Sequence, residues 1–451
     1  MKGQQVANAD VKPLPKGWEW VPLGSYVENH DGRRIPISKK ERESRSGSFP
    51  YYGASGVIDT IDGFTHDGEF LLIGEDGANL LTRSKPLAFL TRGKVWVNNH
   101  AHVLRCKPGY SNAYLAYFIN SIDLSQYVTG TAQPKLSQSM MNKILIPVAP
   151  PERQEEIVAE IEKQFSRLDE AVANLKRVKT NLKRYKASVL KDAVEGRLVP
   201  TEAELARREG RSFETGEQLL QRILETRRNS WSGRGKFRTP DAPERDISEL
   251  PEGWTWSSID QLADVGTGAT PNRSKVEFWV GGDVPWVTSG VANGDYVDKA
   301  SEFVTERALA ETNLTLYPAG TLLVAMYGEG KTRGKCAELR IPATTNQALA
   351  ALQVNDQVRA YLRHFLELNY EEMRKVASGG VQPNLNLSLV RTVAVPLPPV
   401  GEQVRIVAEV DRRLSLIRGV ETEIDANLKR AQALRQSVLS KSFQLRKEIA
   451  H

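Results

Sequence analysis

Four stretches of the 451-residue chain gather side chains able to do chemistry. DVGTGAT at 264–270 carries the acidic-x-Gly-x-Gly pattern that lets backbone approach S-adenosylmethionine at a strand-to-helix turn. Pro271 follows at once, no helix pattern is apparent after it, and no Asn- or Asp-Pro-Pro-aromatic motif is present to hold an amino group for methylation. AMYGEGKT at 325–332 ends like a phosphate-binding loop, but Ala325 stands where that loop needs glycine. GEDG at 74–77 offers adjacent carboxylates, with no nuclease lysine convincingly beside them. His100 and His102 alternate along VNNHAHVL at 97–104, so both are expected on one face of a strand, yet no third metal ligand is evident. The expectation is a chain with no catalytic residue, no metal site and no cofactor of its own.

What the chain does carry is groups suited to DNA. Asn, Gln, Arg and Lys read base edges best, and Arg, Lys and hydroxyls grip phosphates. Arg33, Arg34, Lys39, Lys40, Arg42 and Arg45 precede Tyr51 and Tyr52. Lys94, Trp96, Asn98, Asn99, His100 and His102 come later. Further on, Asn272, Arg273 and Lys275 follow the GTG turn, and then come Tyr327, Lys331, Arg333, Lys335 and the run Thr345-Asn346-Gln347. Two loops repeat a theme, Gln133-Pro134-Lys135 and Gln382-Pro383-Asn384. Apart from Arg42, Arg45, Tyr51, Lys335 and the two prolines, all are candidate DNA contacts. Singly, each reads as ordinary surface polarity; together they form a pattern.

The elements that must position these groups occur twice. LPKGWEW at 14–20 returns as LPEGWTW at 250–256, and QPKL at 133–136 as QPNL at 382–385. The latter offset also carries Pro147 to Pro396, Gln154 to Gln403, and Ser188-Val189-Leu190 to Ser437-Val438-Leu439. Each unit is well matched at its start and end and diverged in its middle. Apolar runs such as 70–73, 95–97 and 321–324, separated by turn signals, read as strands of a mixed α/β domain.

Each domain leads into a long helix. After Pro150-Pro151, apolar residues recur at Ile157, Ile161, Phe165, Leu168, Val172, Leu175, Val178, Leu182, Tyr185 and Val189. After Pro398-Pro399 they recur at Ile406, Val410, Leu414, Ile417, Ile424, Leu428, Ala431, Leu434 and Val438, with one glycine, Gly419, inside. Steps of three and four are a coiled-coil seam. One such helix cannot bury its stripe alone, and two equivalent units favour an antiparallel pair. The boundaries expected are a tail at 1–13, a globular domain at 14–149, a long helix at 150–195, a helical and basic linker at 196–249, a second domain at 250–398 and a second long helix at 399–451. Capping boxes at Thr201/Glu204 and Thr215/Gln218 start two short helices in the linker. The loop after them, with Trp231, Arg234, Lys236 and Arg238, is a candidate for phosphate contact.

Composition sets only loose bounds. There are 61 Lys and Arg against 55 Asp and Glu, a formal charge of +6, which permits nucleic-acid binding without requiring it. Two cysteines, far apart, fit a reducing cytoplasm. No apolar run reaches a membrane span and no signal peptide is evident, so a cytoplasmic location and no membrane partner are expected.

LPxGWxW, the GTG turn, MYG with GK at 330–331, TNQA at 345–348, and QPNL before PLPP and EQ resemble the specificity subunits of type I restriction-modification systems. GEDG with WVNNHAHVL resembles a second, different target-recognition domain of that family, and 193–228 resembles its central region. The resemblance implies an α+β fold with two target-recognition domains in pseudo-twofold repeat and the helices paired as an antiparallel coiled coil. It implies a non-catalytic subunit that binds a bipartite site in double-stranded DNA and scaffolds two methyltransferase subunits, with restriction and motor subunits in the full complex. S-adenosylmethionine, ATP and Mg2+ would then be used by those partners. A standalone S-adenosylmethionine-dependent methyltransferase or fusion enzyme, and a coiled-coil structural adaptor, are the alternative readings.

Overall fold

The computed structural model describes residues 14–130, 132–232, 236–243, 249–327, 332–370, 373 and 385–443. They form two units, Met1–Arg177 with Ile424–His451, and Val178–Glu423.

The repeated LPxGW motif is a β-turn. Trp18 N donates to Pro15 O and Trp254 N to Pro251 O, both at 3.1 Å, and Gly17 and Gly253 take φ of +85° and +86°. A type II turn needs a positive φ at its third residue, which glycine supplies without strain. Each turn feeds a short strand that pairs antiparallel with the strand ahead of the long helix. Glu19–Pro22 pairs with Leu145–Val148, bringing Trp20 opposite Pro147. Thr255–Ser258 pairs with Ala394–Leu397, bringing Trp256 opposite Pro396.

In the first unit one sheet runs Val27–Asn29, Ala101–Cys106, Phe70–Gly74, Ala88–Thr91, and another Gly56–Ile61, Phe49–Gly53, Lys94–Val97, His66–Asp67. The second unit matches this with Ala263–Thr267, Leu349–Val354, Leu322–Ala325, Cys336–Leu339, Tyr296–Val297, and with Glu302–Val304, Val284–Val287, Thr344–Thr345. The apolar runs are central strands covered on both faces. Leu71 and Ile73 face the core that holds the helices, while Phe70 and Leu72 face the other sheet. Leu322 and Val324, against Leu323 and Ala325, repeat the division.

The long helices are Pro151–Val194 and Val400–Ser442. Proline at the first turn costs no hydrogen bond, and Gln154 and Gln403 turn back to donate to Ala149 O and Pro398 O at 2.8 Å. The pairing is antiparallel within each unit. In the first, Arg435 meets Asp169 at 2.7 Å and covers the Phe165 ring at 4.3 Å. In the second, Arg413 lies beside Tyr185. The helix starts also enter their own domain cores, Ile157 and Ile161 in one and Ile406, Val410 and Leu414 in the other. The seam therefore does two jobs, pairing the helices and packing each helix start on its own domain. Three seam residues are corrected outright: Val178, Tyr185 and Leu434 are 43%, 47% and 53% exposed. Two helices cover only the facing part of each stripe, and spacing does not report which positions a third layer reaches.

In the linker both capping boxes form, starting helices Glu202–Glu209 and Gly216–Asn229. The second helix buries Leu219, Leu220 and Ile223 in the second unit's core. Among the described residues no helix is long and apolar enough to cross a membrane.

Candidate nucleic-acid interface

In the first unit three segments converge at one end of the sheets. Glu75 N donates to His100 O at 2.9 Å, Leu136 N to Glu75 O at 2.7 Å, and Gly77 N to Pro134 O at 3.0 Å. This brings GEDG, the 98–100 turn and the Gln133–Lys135 loop side by side. Beneath them lies an ion cluster. Arg34 bridges Glu75 at 2.6 Å and Asp31 at 3.4 Å, and Lys135 reaches Glu75 at 3.2 Å. His102 donates from Nδ1 to Asp31 at 2.6 Å and from Nε2 to Leu136 O at 2.9 Å. An acceptor facing each ring nitrogen favours the doubly protonated ring. Burial alone would lower the His102 pKa, but those bonds outweigh it and hold it above the ordinary value. Burial alone would raise Asp31 and Glu75; the His102 and Val103 N–H bonds on Asp31, and Arg34, His102 and Lys135 around Glu75, hold both below the usual range.

The second unit builds the same edge with different side chains. Met326 N donates to Ala348 O at 2.8 Å and Leu385 N to Met326 O at 3.2 Å, which repeats the bonds of Glu75 and Leu136. Asn346 Oδ1 accepts from Ala348 N at 3.1 Å, as Asn98 Oδ1 accepts from His100 N at 2.8 Å. Asn346 N bonds Val287 O at 3.0 Å, as Asn98 N bonds Tyr52 O at 3.1 Å. Asn98 is thus the counterpart of Asn346, and Asn99 of Gln347. Gln347 carries an exposed amide that accepts from Thr270 at 2.8 Å. The GTG turn closes on this edge. A Cβ on Gly268 would stand 1.7 Å from Thr345 O, so only glycine fits. The turn ends a strand, Ala263–Thr267, and no helix follows it directly.

Of the candidate contacts, Asn99, His100, Gln133 and Lys135 are exposed together at the first edge, and Gln347 with Tyr327 at the second. Lys39 and Lys40 are exposed on helix Lys39–Ser44 and Arg33 on turn Asp31–Arg33. Lys94 lies over the Phe64 ring at 4.7 Å, and half-buried Tyr52 stacks on Phe89. Asn272 is exposed, as is Lys275, which covers Phe278 at 4.8 Å. Arg273 pairs with Glu302 at 2.6 Å and lies 3.8 Å from the Trp279 ring centroid. Arg333 and Asn346 are half-buried. Lys331, Gln382 and Asn384 lie outside the described residues.

Several expectations need correcting. His100 and His102 do not share a face: strand Lys94–Val97 stops, the chain turns at 98–100, and a new strand starts at Ala101. His100 points outward to Asp76 at 2.7 Å, whereas His102 is 1% exposed. Trp96, Asn98 and Thr345 are likewise buried. Trp96 donates its indole N–H to Ile35 O at 2.8 Å and braces the 33–37 segment. These four, with the ion-paired Arg34, position the edge and do not present a free group to a ligand. Arg42 and Arg45 are spent on Asp59 and Asp62, at 3.0 and 2.8 Å. Among the described residues no His, Cys, Asp and Glu groups cluster to hold a metal ion.

The family described as type I restriction modification DNA specificity domain matches residues 15–184 and again 251–430. The chain is 37% identical over 141 residues to a putative type I restriction enzyme specificity subunit, S.HindORF215P of Haemophilus influenzae, covering 31% of the chain and 35% of that relative. It is 30% identical over 178 residues to the MjaIX specificity subunit of Methanocaldococcus jannaschii, 38% of the chain and 40% of the relative. These two matches therefore span well under half of each relative's length. The EcoDI specificity subunit of Escherichia coli aligns over 95% of the chain and 88% of its own length at 20% identity. A chain from a solved structure described as the assembly and conformational transition of a type I R-M system shares the fold, with TM-score 0.61, 19% identity, and coverage of 96% and 99%.

Proposed function

The chain belongs to the type I restriction-modification DNA specificity family, and on that premise we propose that it is the DNA-reading subunit of such a complex. Each unit reads one half of a bipartite, asymmetric site. The observation that carries this reading is the shared frame of Asn98 and Asn346, which presents different side chains, Asn99 with His100 in one unit and Gln347 in the other. A fixed backbone with variable polar tips suits base-edge readout, where amides, guanidinium and imidazole groups discriminate bases by donor and acceptor pattern.

The subunit does no chemistry in this reading. It holds two methyltransferase subunits and, through the assembled complex, the restriction subunits. S-adenosylmethionine, ATP and Mg2+ are used by those partners. The length of the helix pair sets the number of unread base pairs between half-sites. Methylome sequencing of a strain carrying the intact system tests the proposal. A two-part motif with a fixed gap, lost when this chain is deleted, is expected; methylation unaffected by the deletion overturns it.

A further inference from the structure

The second unit has a cleft of about 460 Å3 between the first long helix, the loop at Asn293–Asp295, helix Asp356–Leu368 and strand Cys336–Leu339. Lys183, Lys186, Lys335 and Arg363 line it against Asp295 and Glu367. Those two carboxylates are already answered, Glu367 by Lys186 at 2.6 Å and Asp295 by Arg418 at 3.3 Å. Lys335 reaches only the neutral amide of Asn293, at 3.1 Å. Among the described residues, neither Lys183 nor Lys335 is in an ion pair, and Arg363 stands 4.0 Å from a Glu338 that it shares with Arg359. The cleft therefore carries uncompensated positive charge.

Two further observations say what that charge answers. Between Glu170 and Asp192 the first long helix has seven Lys or Arg and no Asp or Glu. A one-signed stretch of that length opposes its own helix through like-charge repulsion, and a polyanion offsets the repulsion. The cleft also adjoins the recognition edge. One hairpin, Leu322–Ala325 with Cys336–Leu339, holds Met326 at the edge through Ala348 and, across the strand pair, holds Lys335 in the cleft.

We propose that this cleft seats the DNA sugar-phosphate backbone beside the half-site read by the second unit, without regard to sequence. The proposal rests on the DNA-reading function above. Lys183 and Lys335 each neutralise a phosphate, and the specificity of the neighbouring edge is untouched.

The test uses the full chain in complex with its methyltransferase subunits, and duplexes with and without the methylated motif. Each lost phosphate contact lowers the slope of log affinity against log salt by about 0.9. The double variant Lys183→Ala, Lys335→Ala is expected to lower that slope by about 1–2 and to weaken both duplexes by the same factor. Lys183→Arg with Lys335→Arg is expected to restore both. An unchanged slope with motif preference intact overturns the cleft proposal and leaves the recognition reading standing. Loss of methyltransferase co-purification, with DNA binding preserved, also overturns it, because the cleft then seats a protein. A wild-type complex with no preference for its motif overturns the recognition reading itself.

Discussion

Asn98 and Asn346 hold the same place in the two units, each accepting from the amide two residues on while its own N–H is tied to the parallel strand beside the one it ends. An Asx turn of this kind sets the direction of the residue that follows, and that residue is Asn99 in one unit and Gln347 in the other. Asn98→Ala or Asn346→Ala leaves an inward N–H without its acceptor. A loss of about 1–3 kcal/mol is expected in denaturant unfolding, together with weaker binding to one half-site. Unchanged stability and unchanged binding would show that the turn positions nothing.

The ion cluster of the first unit gives a pH signature. The folded His102 pKa stands above its 6.5 reference, so its stabilising contribution is complete below that value and is lost as pH rises through the folded value. Asp31 and Glu75 stand below 3.8 and 4.5, so theirs is complete above those references and is lost as pH falls through the folded values. His102→Gln is therefore expected to destabilise the chain more at pH 6 than at pH 9. Equal losses at both pH values, read by thermal unfolding, would contradict a protonated His102.

The two roles of the long helices separate by burial. Ile417 is 4% exposed within the second unit's core and Leu434 is 53% exposed. Ile417→Asp buries a charge and is expected to cost several kcal/mol and unfold its unit, whereas Leu434→Asp is expected to change stability by less than about 0.5 kcal/mol. Proteolysis of the purified subunit distinguishes them: rapid cleavage of the Ile417 variant alone is predicted, and equal resistance would contradict the packing.

If the helices set the gap, four residues inserted after Lys176, with a matching insertion near Asp425, add about 6 Å of helix. That approaches two base pairs at about 3.4 Å each. Methylation mapping of the assembled variant is expected to return the same half-sites with a longer gap. An unchanged gap in an active complex rules out the ruler.

Some of this was legible in the residues. The capping boxes at Thr201 and Thr215 and the helix starts after paired prolines follow from local chemistry and appear where the sequence places them, and the runs at 70–73 and 321–324 fall on strands Phe70–Gly74 and Leu322–Ala325, the latter one residue on. The counterpart relation of Asn98 and Asn346 escapes the sequence, although NNH at 98–100 and NQA at 346–348 sit at nearly the same offset as the QPxL loops. The diverged side chains hid it, because the match lies in backbone hydrogen bonds. Alternation misled at His100 and His102, since a turn between two strands resets the period. Charge misled at Arg34, whose carboxylate partners lie 3 and 41 residues away along the chain.

Competition binding of the assembled complex to half-site variants tests the central claim most directly. Asn99→Ala is predicted to lose about 1–3 kcal/mol of discrimination at one position of one half, and Gln347→Ala the same at one position of the other half, with each opposite half read as before. A single substitution that alters base preference in both halves, or neither substitution altering any, would contradict the assignment of one half-site to each unit.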